Sequence, residues 1–560
     1  MADKELGSNP MTRRAALKSF GAALGSTLMT QPAWAGSMQP EASQTKSSAT
    51  PQIASGRRGD KPNILYINCE GVPLSVLSCY GSTLMETPNI DRLAQQSMRF
   101  NNAFVTNALC APSRATLMTG KYSHLNGMVA NPGAGPDACG GLINHFKTAQ
   151  ETFPKIMRSA GYQTSQAGKW HLQEIPAEAG FDSYFYKHGA GGPYYRAAGY
   201  IQNAGPGNPK PIHTSHPGYT TDTITNRTID EITRMAKSKE PFMMYYAPFN
   251  DHEPFVPPTK YQHIFDNHRF PEPGTFWDDY ATRASPARDA RQRIAYIVDY
   301  SLRKNASKGL REEFTPVSDF PTRPPNLTRR QIQQWNQQQF MRHFMGTLKA
   351  LDDNIGRLLD HLDRSGLAEK TIVVLSSDHG FFTGDHGWYD KRFMYEQALR
   401  VPFMVRWPGV VKPGSTTDAW TVNIDNAPTL LAMAGLDIPE DMQGESIIPL
   451  LEGHTPQNWR TSMYYHYYEF ASEHWVQPHY GIRTENYKLI YYYQVNEWEL
   501  FNLKYDPDEM DNLFEWRGFR VNPHYKLTTD DLVNQLKSLR KHYKDNTGMP
   551  VNYLPPVDYD

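Results

Sequence analysis

Short apolar runs alternate with helical patterns along the chain, and this alternation limits the possible folds more than any other feature. The β-prone runs lie at residues 63–68, 241–247, 371–376 and 401–407. Before the third run, apolar residues recur at helical spacing, namely Phe340, Phe344, Leu348, Leu351, Ile355, Leu358 and Leu362. The alternation predicts an α/β sandwich with a mostly parallel central sheet, in which ligands gather at the carboxyl ends of the strands.

A different pattern begins near residue 460. Strand-like runs lie at residues 464–468, 479–483, 487–493 and 498–502, and an amphipathic helix is predicted over 528–544. They indicate a small antiparallel sheet with a packed helix. We therefore predict a catalytic domain over 61–455 and a small C-terminal domain over 456–560 that completes the substrate pocket. Regular signals are sparse between about residues 185 and 335, which we interpret as loops that form walls of the pocket.

Residues 1–35 have the features of an export signal. A pair of arginines at 13–14 precedes a modest apolar stretch with an Ala-x-Ala end at 33–35, as in twin-arginine signal peptides. The stretch is shorter than the ~20 residues that a membrane span requires, and it contains Lys18, so no membrane span is expected. Residues 36–60 are rich in Ser, Thr, Gln and Gly and predict a flexible linker. A bacterial protein located in the periplasm or secreted is expected.

The balance of charge and the cysteines exclude some classes of protein. The formal net charge of −1 gives no indication of a nucleic-acid partner. The four cysteines, at 69, 79, 110 and 139, lack the spacing of a metal knuckle or a disulfide scaffold. A single bridge among Cys69, Cys79 and Cys139 stays open.

The stretch Cys110-Ala111-Pro112-Ser113-Arg114 begins a short helical run that ends at Gly120. The amide groups and dipole of a helix N-terminus favour anions, and Arg114 adds a fixed positive charge one turn further on. The stretch therefore predicts a site for an anionic ligand. The alternative is that Cys110 is a buried structural thiol, which is the common environment of a free cysteine.

Asp378 and His379 follow the apolar run that begins at Thr371, where a strand would present them at the edge of the sheet. Together they offer oxygen and nitrogen ligands for a metal ion, and calcium prefers the oxygens. The alternative is a loop aspartate that accepts hydrogen bonds from backbone amides.

Four segments resemble motifs of the type I sulfatases, in which a cysteine is oxidised to formylglycine. The segment at 110–120 resembles the first signature, and residues 371–409 resemble the second almost without gaps. Residues 167–172 are similar to a Gly-Lys-Trp-His motif, and residues 247–255 resemble a loop that carries a further polar group. The resemblance implies an alkaline-phosphatase-like fold and the hydrolysis of sulfuric esters. It also implies a maturation enzyme that generates formylglycine.

The resemblance also implies roles for the residues that carry out the reaction. Cys110, as formylglycine, would supply the hydrate that attacks sulfur, with Arg114 holding it. His252 would protonate the departing alcohol, and His171 would take a proton from the other hydroxyl so that sulfate is expelled.

Further residues are implied to bind the substrate. Lys169 and Lys391 would hold the sulfate oxygens, together with His252. Extended similarity is closest to bacterial sulfatases of glycosaminoglycan or host-glycan sugars, including N-acetylglucosamine-6-sulfatases. This implies a sulfated carbohydrate as substrate. His479 is either a residue that reaches the sugar or a structural histidine in a strand.

The chain departs from the family at the predicted metal site. The resemblance implies that Glu70, Cys110, Asp378 and His379 bind calcium. In the family two adjacent aspartates end the first strand, whereas this chain has Glu70 and Gly71. Because fewer charged ligands weaken calcium binding, a weakened site is expected.

Three functions remain open at this stage. The first is a sulfatase with a reduced calcium site, which is favoured because the nucleophile and both Lys/His pairs are present. The second is a phosphate or phosphonate ester hydrolase of the same superfamily. The third is a non-catalytic protein that binds sulfated glycans, for which the glycine at position 71 is the main support.

Overall fold

The computed structural model describes residues 61–187, 189, 194–195, 199–249, 252–297, 323–472 and 474–551. The predicted signal peptide and linker lie outside the described residues, and so do Asn250 and Asp251 of the segment at 247–255. The described residues fall within one compact unit, Gly56–Asp560. In this part of the chain, no helix has the length and apolar character that a membrane crossing requires.

The strands form one large sheet, one smaller sheet and two short pairs. In chain order they are β1 (Asn63–Cys69), β2 (Met98–Phe100), β3 (Ala103–Phe104), β4 (Gln163–Gly168), β5 (Ser183–Lys187), β6 (Tyr200–Gly205), β7 (Asn208–Thr214), β8 (Phe242–Ala247), β9 (Thr371–Ser377), β10 (Phe382–Thr383), β11 (Tyr389–Asp390), β12 (Phe403–Arg406), β13 (Ser415–Thr417), β14 (Thr421–Val422), β15 (Ser462–Tyr467), β16 (His479–Thr484), β17 (Tyr487–Tyr492) and β18 (Glu497–Asn502).

The large sheet has ten strands in the order β13-β2-β12-β9-β1-β8-β4-β5-β6-β7. Strands β9, β1, β8, β4 and β5 are parallel neighbours at its centre. These strands are buried on both faces, as the continuous apolar runs of β1, β8 and β9 predict. The predicted α/β fold with a mostly parallel central sheet is confirmed. The carboxyl ends of the central strands therefore meet at one edge of the sheet.

Helices pack on both faces of this sheet. In chain order they are α1 (Pro88–Gln95), α2 (Cys110–Thr119), α3 (Ser123–Asn126), α4 (Phe153–Ser159), α5 (Thr220–Met235), α6 (Ser285–Asp289), α7 (Arg329–Arg364), α8 (Glu396–Leu399), α9 (Asn426–Met433), α10 (Ile448–Leu451) and α11 (Lys526–His542). Helix α7 contains the predicted apolar stripe, and a capping box of Thr328 and Gln331 fixes where it begins.

The C-terminal segment forms the predicted antiparallel sheet, in the order β15-β16-β17-β18, with α11 packed against it. One hydrophobic core contains Ile64 of the large sheet, Leu489 of the small sheet and Leu536 of α11. The small sheet is therefore continuous in its packing with the α/β part, and the division at 455/456 stays a prediction.

The region from 185 to 335 is more regular than expected. It contains the hairpin β6–β7 and the sixteen-residue helix α5. Threonine has a low helix propensity, and α5 has six threonines in sixteen positions, so the helical pattern in this segment is weak. All four cysteines are free thiols, so the bridge left open among Cys69, Cys79 and Cys139 does not form.

Candidate active site

Four neighbouring parallel strands carry functional side chains to one edge of the large sheet. Glu70 follows β1, Lys169 follows β4, and Asp378 follows β9. His252 lies on the loop after β8. Because these strands are adjacent and parallel, residues far apart in sequence meet at this edge.

Helix α2 presents Cys110 at its first residue, and all ten of its residues are buried. The helix ends at Gly120, which has a φ of 63°. A Cβ at this position would lie only 3.2 Å from Cδ of Pro428. The predicted position of Cys110 at a helix N-terminus is confirmed. The thiol is fully buried, and it lies among charged groups.

Gly168 lets strand β4 approach β8 closely enough to place Lys169. A Cβ at position 168 would lie 1.9 Å from the carbonyl oxygen of Ala247. The next amide, of Lys169, donates to that same oxygen at 2.7 Å. Position 168 therefore requires glycine, and Lys169 enters the site on a rigid strand end.

Arg114 joins the two carboxylates of the site. Its Nη2 lies 2.7 Å from Glu70 Oε2, its Nε lies 3.0 Å from Asp378 Oδ2, and its Nη1 donates to the Lys169 carbonyl at 3.0 Å. The three charged side chains are at most 1% exposed. Arg114 thus holds the ends of β1, β4 and β9 together.

The Cys110 thiol lies between the carboxylate of Glu70 and the imidazole of His379. Sγ is 3.3 Å from Glu70 Oε1 and 3.4 Å from His379 Nε2. Burial raises the pKa of the thiol, but the nearby charges of Lys169 and Lys391 outweigh it and hold the pKa well below its usual value. The helix N-terminus and the lysines thus form a site that favours negative charge.

Glu70 is ionised in this site. Burial and Cys110 raise its pKa, yet Lys169 and Arg114 lower it to about 2. Lys169 Nζ lies 2.6 Å from Glu70 Oε1. Burial and the charge of Glu70 raise the pKa of Asp378.

Lys391 enters the site from the segment after β11, as predicted, and an ion pair with Asp390 supports it. Its Nζ lies 3.1 Å from Asp390 Oδ1. Asp390 also pairs with Arg392, and with His474 at 2.9 Å from Nε2. Asp390, Arg392 and His474 are additions to the predicted set. In the sequence, the charged triplet at 390–392 was a signal for Asp390 and Arg392, whereas no pattern marked His474 as part of the site.

His171 and His252 complete the set of predicted polar groups. His171 is close enough to Cys110 for the two side chains to influence each other's charge, and burial is the main cause that lowers the pKa of His171 to about 4. The backbone N–H of His252 donates a hydrogen bond to the Tyr194 hydroxyl oxygen at 3.1 Å. His171 is therefore neutral near pH 7 and able to accept a proton.

Three residues of this site have an unusual backbone conformation. His171, Asp390 and Arg392 have φ values of 58°, 77° and 94°, a region that side chains other than glycine seldom adopt. Such strain persists only where the surrounding structure fixes it, and it is common at active sites.

The amino-acid sequence of the chain matches two models of protein families. The family described as sulfatase matches residues 62–436. The chain belongs to the sulfatase family. A second model, described as the C-terminal part of N-sulphoglucosamine sulphohydrolase, matches residues 384–542. The protein is therefore a sulfuric ester hydrolase, and the α/β site described above is that of a sulfatase.

Individual relatives agree with this assignment. The sulfatase is 37% identical over 531 residues to N-acetylglucosamine-6-O-sulfatase of Bacteroides thetaiotaomicron, with 89% of each chain covered. A solved structure of a protein in complex with its substrate D-glucosamine-2-N,6-O-disulfate matches with a TM-score of 0.76 and 36% identity. That match covers 87% of this chain and 99% of the other.

A third likeness concerns the fold alone. The phosphonate monoester hydrolase of Agrobacterium radiobacter matches with a TM-score of 0.62 at 19% identity, over 86% of this chain and 96% of the other. Sulfatases among the solved structures share this alkaline-phosphatase-like fold, so the predicted fold class is confirmed.

The predicted metal ligands lie together in the sulfatase. The ligand atoms of Glu70, Cys110, Asp378 and His379 are all within 4.8 Å of one another, and all four residues are buried. Calcium is bound by about six to eight oxygens. Glu70 and Asp378 are the two carboxylates of this cluster, and Gly71 donates its backbone N–H to Asp378 Oδ1 at 3.1 Å instead of supplying an oxygen. The encoded residues could therefore hold a cation, but their donor atoms fit calcium poorly.

His479, which from the sequence was either a sugar-binding or a structural histidine, is enclosed within the fold. It is fully buried in β16, where Nδ1 donates to the Gln477 carbonyl at 2.8 Å and Nε2 accepts from the Met394 amide at 3.1 Å. Both ring nitrogens are thus used within the fold. Aromatic rings surround it, including Phe393 and Tyr465. This geometry favours the structural alternative.

This burial predicts a pH effect on stability. Burial lowers the pKa of His479 from 6.5 to about 3, so the folded state keeps it neutral while the unfolded state takes up a proton below about pH 6.5. Its contribution to stability is therefore present above pH 6.5 and is lost as the pH falls towards 3. We expect His479→Gln to show a smaller fall in melting temperature between pH 6.5 and pH 4 than the parent, with KM unchanged.

His263→Gln is the matched control, because the His263 side chain is 71% exposed. It should leave the dependence of the melting temperature on pH as it is. A raised KM in His479→Gln, with the pH dependence unaltered, would restore the sugar-binding role.

Proposed function

We propose that this sulfatase is exported by the twin-arginine route and removes the 6-O-sulfate of N-acetyl- or N-sulfoglucosamine units of glycosaminoglycans or related glycans. The observation that carries the proposal is the 37% identity to an N-acetylglucosamine-6-O-sulfatase over 89% of the chain. The likeness to the complex with D-glucosamine-2-N,6-O-disulfate supports the same substrate class. The arginine pair at 13–14 supports export to the periplasm or the medium.

Residue 110 is the proposed nucleophile, after a maturation enzyme has oxidised it. As formylglycine it would supply a hydroxyl of its hydrate to attack sulfur. Its fixed place at the first residue of α2, between Glu70 and His379, supports this role. Arg114 acts as a positioning residue, because it holds the loops that surround Cys110.

Lys169 and Lys391 are proposed to hold the sulfate oxygens. Both ammonium groups act on Cys110 through their charge, and both side chains are at most 5% exposed. Attack on sulfur builds negative charge on the sulfate oxygens, which buried cations stabilise more strongly than exposed ones. Asp390 keeps Lys391 charged, because its carboxylate outweighs the effect of burial and raises the pKa of that lysine.

Two histidines are proposed to move the protons. His252 would protonate the departing alcohol, a role that its place on the loop after β8 supports. His171 would take a proton from the second hydroxyl at residue 110, and its closeness to Cys110 supports this role. Expulsion of sulfate then restores residue 110 for the next cycle.

The alternatives have less support. The likeness to the phosphonate monoester hydrolase rests on 19% identity, which concerns the fold and not the reaction. A non-catalytic glycan-binding protein would not require a buried nucleophile beside two lysines and a neutral histidine. The hydrolysis of sulfate esters is therefore the function that the site supports best.

Release of inorganic sulfate tests the proposal. The protein is first shown by peptide mass to carry formylglycine at residue 110. It is then incubated with N-acetylglucosamine-6-sulfate, D-glucosamine-2-N,6-O-disulfate, galactose-6-sulfate and N-acetylglucosamine-3-sulfate. We expect release from the two glucosamine 6-sulfates, and a loss of about 10²-fold or more in Lys391→Ala, because a charge clamp on the sulfate is removed.

Lys260→Ala is the matched control, since Lys260 is an exposed lysine paired with Asp353. It should release sulfate at the parent rate. Release from the galactose ester alone would contradict the proposed sugar, and release of phosphate but not sulfate would contradict the reaction.

A further inference from the structure

The four residues of the cation site have the donor atoms and spacing of a four-coordinate site while Cys110 is still a thiol. Sγ of Cys110 lies 3.3 Å from Glu70 Oε1 and 3.4 Å from His379 Nε2, and Nε2 lies 3.4 Å from Asp378 Oδ1 and 3.8 Å from Glu70 Oε1. Ligands about 2.0–2.3 Å from a tetrahedral zinc ion lie roughly 3.3–3.6 Å apart. These four of the six separations are thus close to those that such an ion imposes, and all six are within 4.8 Å.

The carboxylates each present one oxygen to this centre. Arg114 binds the outer oxygens, Glu70 Oε2 at 2.7 Å and Asp378 Oδ2 at 3.0 Å. The inner oxygens, Oε1 and Oδ1, lie near His379 Nε2. Bidentate binding of an ion, which is common for calcium, would require Arg114 to give up these contacts. Single-oxygen carboxylates favour a smaller ion of low coordination number.

His379 is held in the form that binds a metal. Its Nδ1 donates to the Gly380 carbonyl at 2.8 Å, so that the lone pair of Nε2 points to the thiol and the carboxylates. A backbone carbonyl on the other ring nitrogen is the usual support of a metal-binding histidine.

We infer that, before Cys110 is oxidised, Glu70, Cys110, Asp378 and His379 form a four-coordinate site for a thiophilic divalent cation such as Zn²⁺. The inference adds to the proposed function. It rests on that function in one respect only, namely that Cys110 is later oxidised. Thiolate and imidazole ligands select zinc or cobalt over calcium. Gly71 contributes to the selection, since it supplies no further oxygen.

Binding is an exchange of a proton for a metal ion, with no change of oxidation state. The thiol proton is released to solvent, a bond forms between sulfur and the ion, and the carboxylates and the imidazole bind through existing lone pairs. Lys169 competes with the ion for Glu70 Oε1, because its Nζ lies 2.6 Å from that oxygen. Oxidation of Cys110 removes the sulfur ligand, so the preference for zinc belongs to the unconverted protein.

Cobalt(II) absorption tests the inference on the full chain. The protein is produced in a host that lacks the maturation activity, and peptide mass confirms a thiol at 110. Cobalt is added and its spectrum is recorded before and after zinc or calcium. We expect a sulfur-to-cobalt charge-transfer band that zinc removes at one equivalent and that calcium in 100-fold excess leaves in place.

Three variants locate the ligands. Cys110→Ser should lose the charge-transfer band, whereas Cys79→Ser, which removes a partly buried thiol elsewhere, should keep it. Gly71→Asp adds an oxygen, and aspartate tolerates the φ of 60° found there, so it should make calcium a better competitor. Circular dichroism checks that each variant is folded.

Several results would overturn the inference. They are cobalt binding without a charge-transfer band, a band that survives in Cys110→Ser, and displacement by calcium as efficient as by zinc. None of them depends on sulfate release. A sulfatase that is active when converted but binds no cobalt as a thiol would therefore contradict this inference alone. A protein that shows the band as a thiol but releases no sulfate after conversion to formylglycine would contradict the proposed function alone.

Discussion

Replacing Cys110 by alanine should abolish sulfate release, with a loss of at least about 10⁴-fold in kcat, while the protein stays folded. Removing a nucleophile on which the other groups act as a unit costs at least this much. The side chain is fully buried at the start of α2, and alanine fits there without strain. The measurement is sulfate release from N-acetylglucosamine-6-sulfate together with the melting temperature.

Cys139→Ala is the matched control, because Cys139 is also a buried free thiol and lies in a separate small cluster with Val129 and Tyr468. It should keep the parent rate. Turnover by Cys110→Ala within tenfold of the parent would show that residue 110 is not the nucleophile.

Arg114→Ala should cause the largest loss of stability of any single change in the site. It leaves Glu70 and Asp378 buried without the guanidinium that pairs with both. Removing one partner of a buried ion pair costs about 3–5 kcal/mol in the free energy of unfolding. Sulfate release should fall as well, because the ends of β1, β4 and β9 lose their common contact.

The same change should alter the response to acid. Glu70 has its pKa lowered to about 2 in the folded state, so its contribution to stability is present above about pH 4.5 and is lost as the pH falls to about 2. Without Arg114 that pKa rises towards its usual value. The loss of stability in Arg114→Ala relative to the parent should therefore be largest above pH 4.5 and shrink at lower pH, as urea denaturation at each pH would measure.

Two further variants test whether the loss of stability in Arg114→Ala comes from its contacts with both carboxylates. Arg114→Lys keeps the charge but lacks the forked donors that reach both carboxylates, so an intermediate loss of stability is expected. Arg92→Ala breaks an ion pair with Asp360 whose side chains are 35% and 44% exposed, and it should cost at most about 1 kcal/mol. An Arg114→Ala protein as stable as Arg92→Ala would contradict the bridging role of Arg114.

Local sequence patterns predicted much of the fold because each of them reflects a preference that depends on neighbouring residues in the chain. The buried strands β1, β8 and β9 are continuous apolar runs, and α7 has an apolar stripe at helical spacing. The helix α5 was missed, since its threonines obscure a helical pattern that burial against the sheet stabilises.

The sequence by itself determined the chemical groups of the site and where most of them lie. Cys110 at a helix start and Asp378 at a strand end follow from local patterns, and resemblance to the family supplied Lys169, Lys391 and His252. Parallel strands then bring such ends together, because the carboxyl ends of neighbours share one edge. Gly71 was also visible as a missing carboxylate.

Only the tertiary structure decided how these groups act on one another. Arg114 bridges Glu70 and Asp378, which lie 44 and 264 positions away in the chain, and no local pattern encodes such a contact. Packing likewise placed His474 beside Asp390 and enclosed His479 among aromatic rings. Burial and charge at each position depend on neighbours distant in sequence, so pKa, ligand geometry and the structural role of His479 are properties of the folded chain.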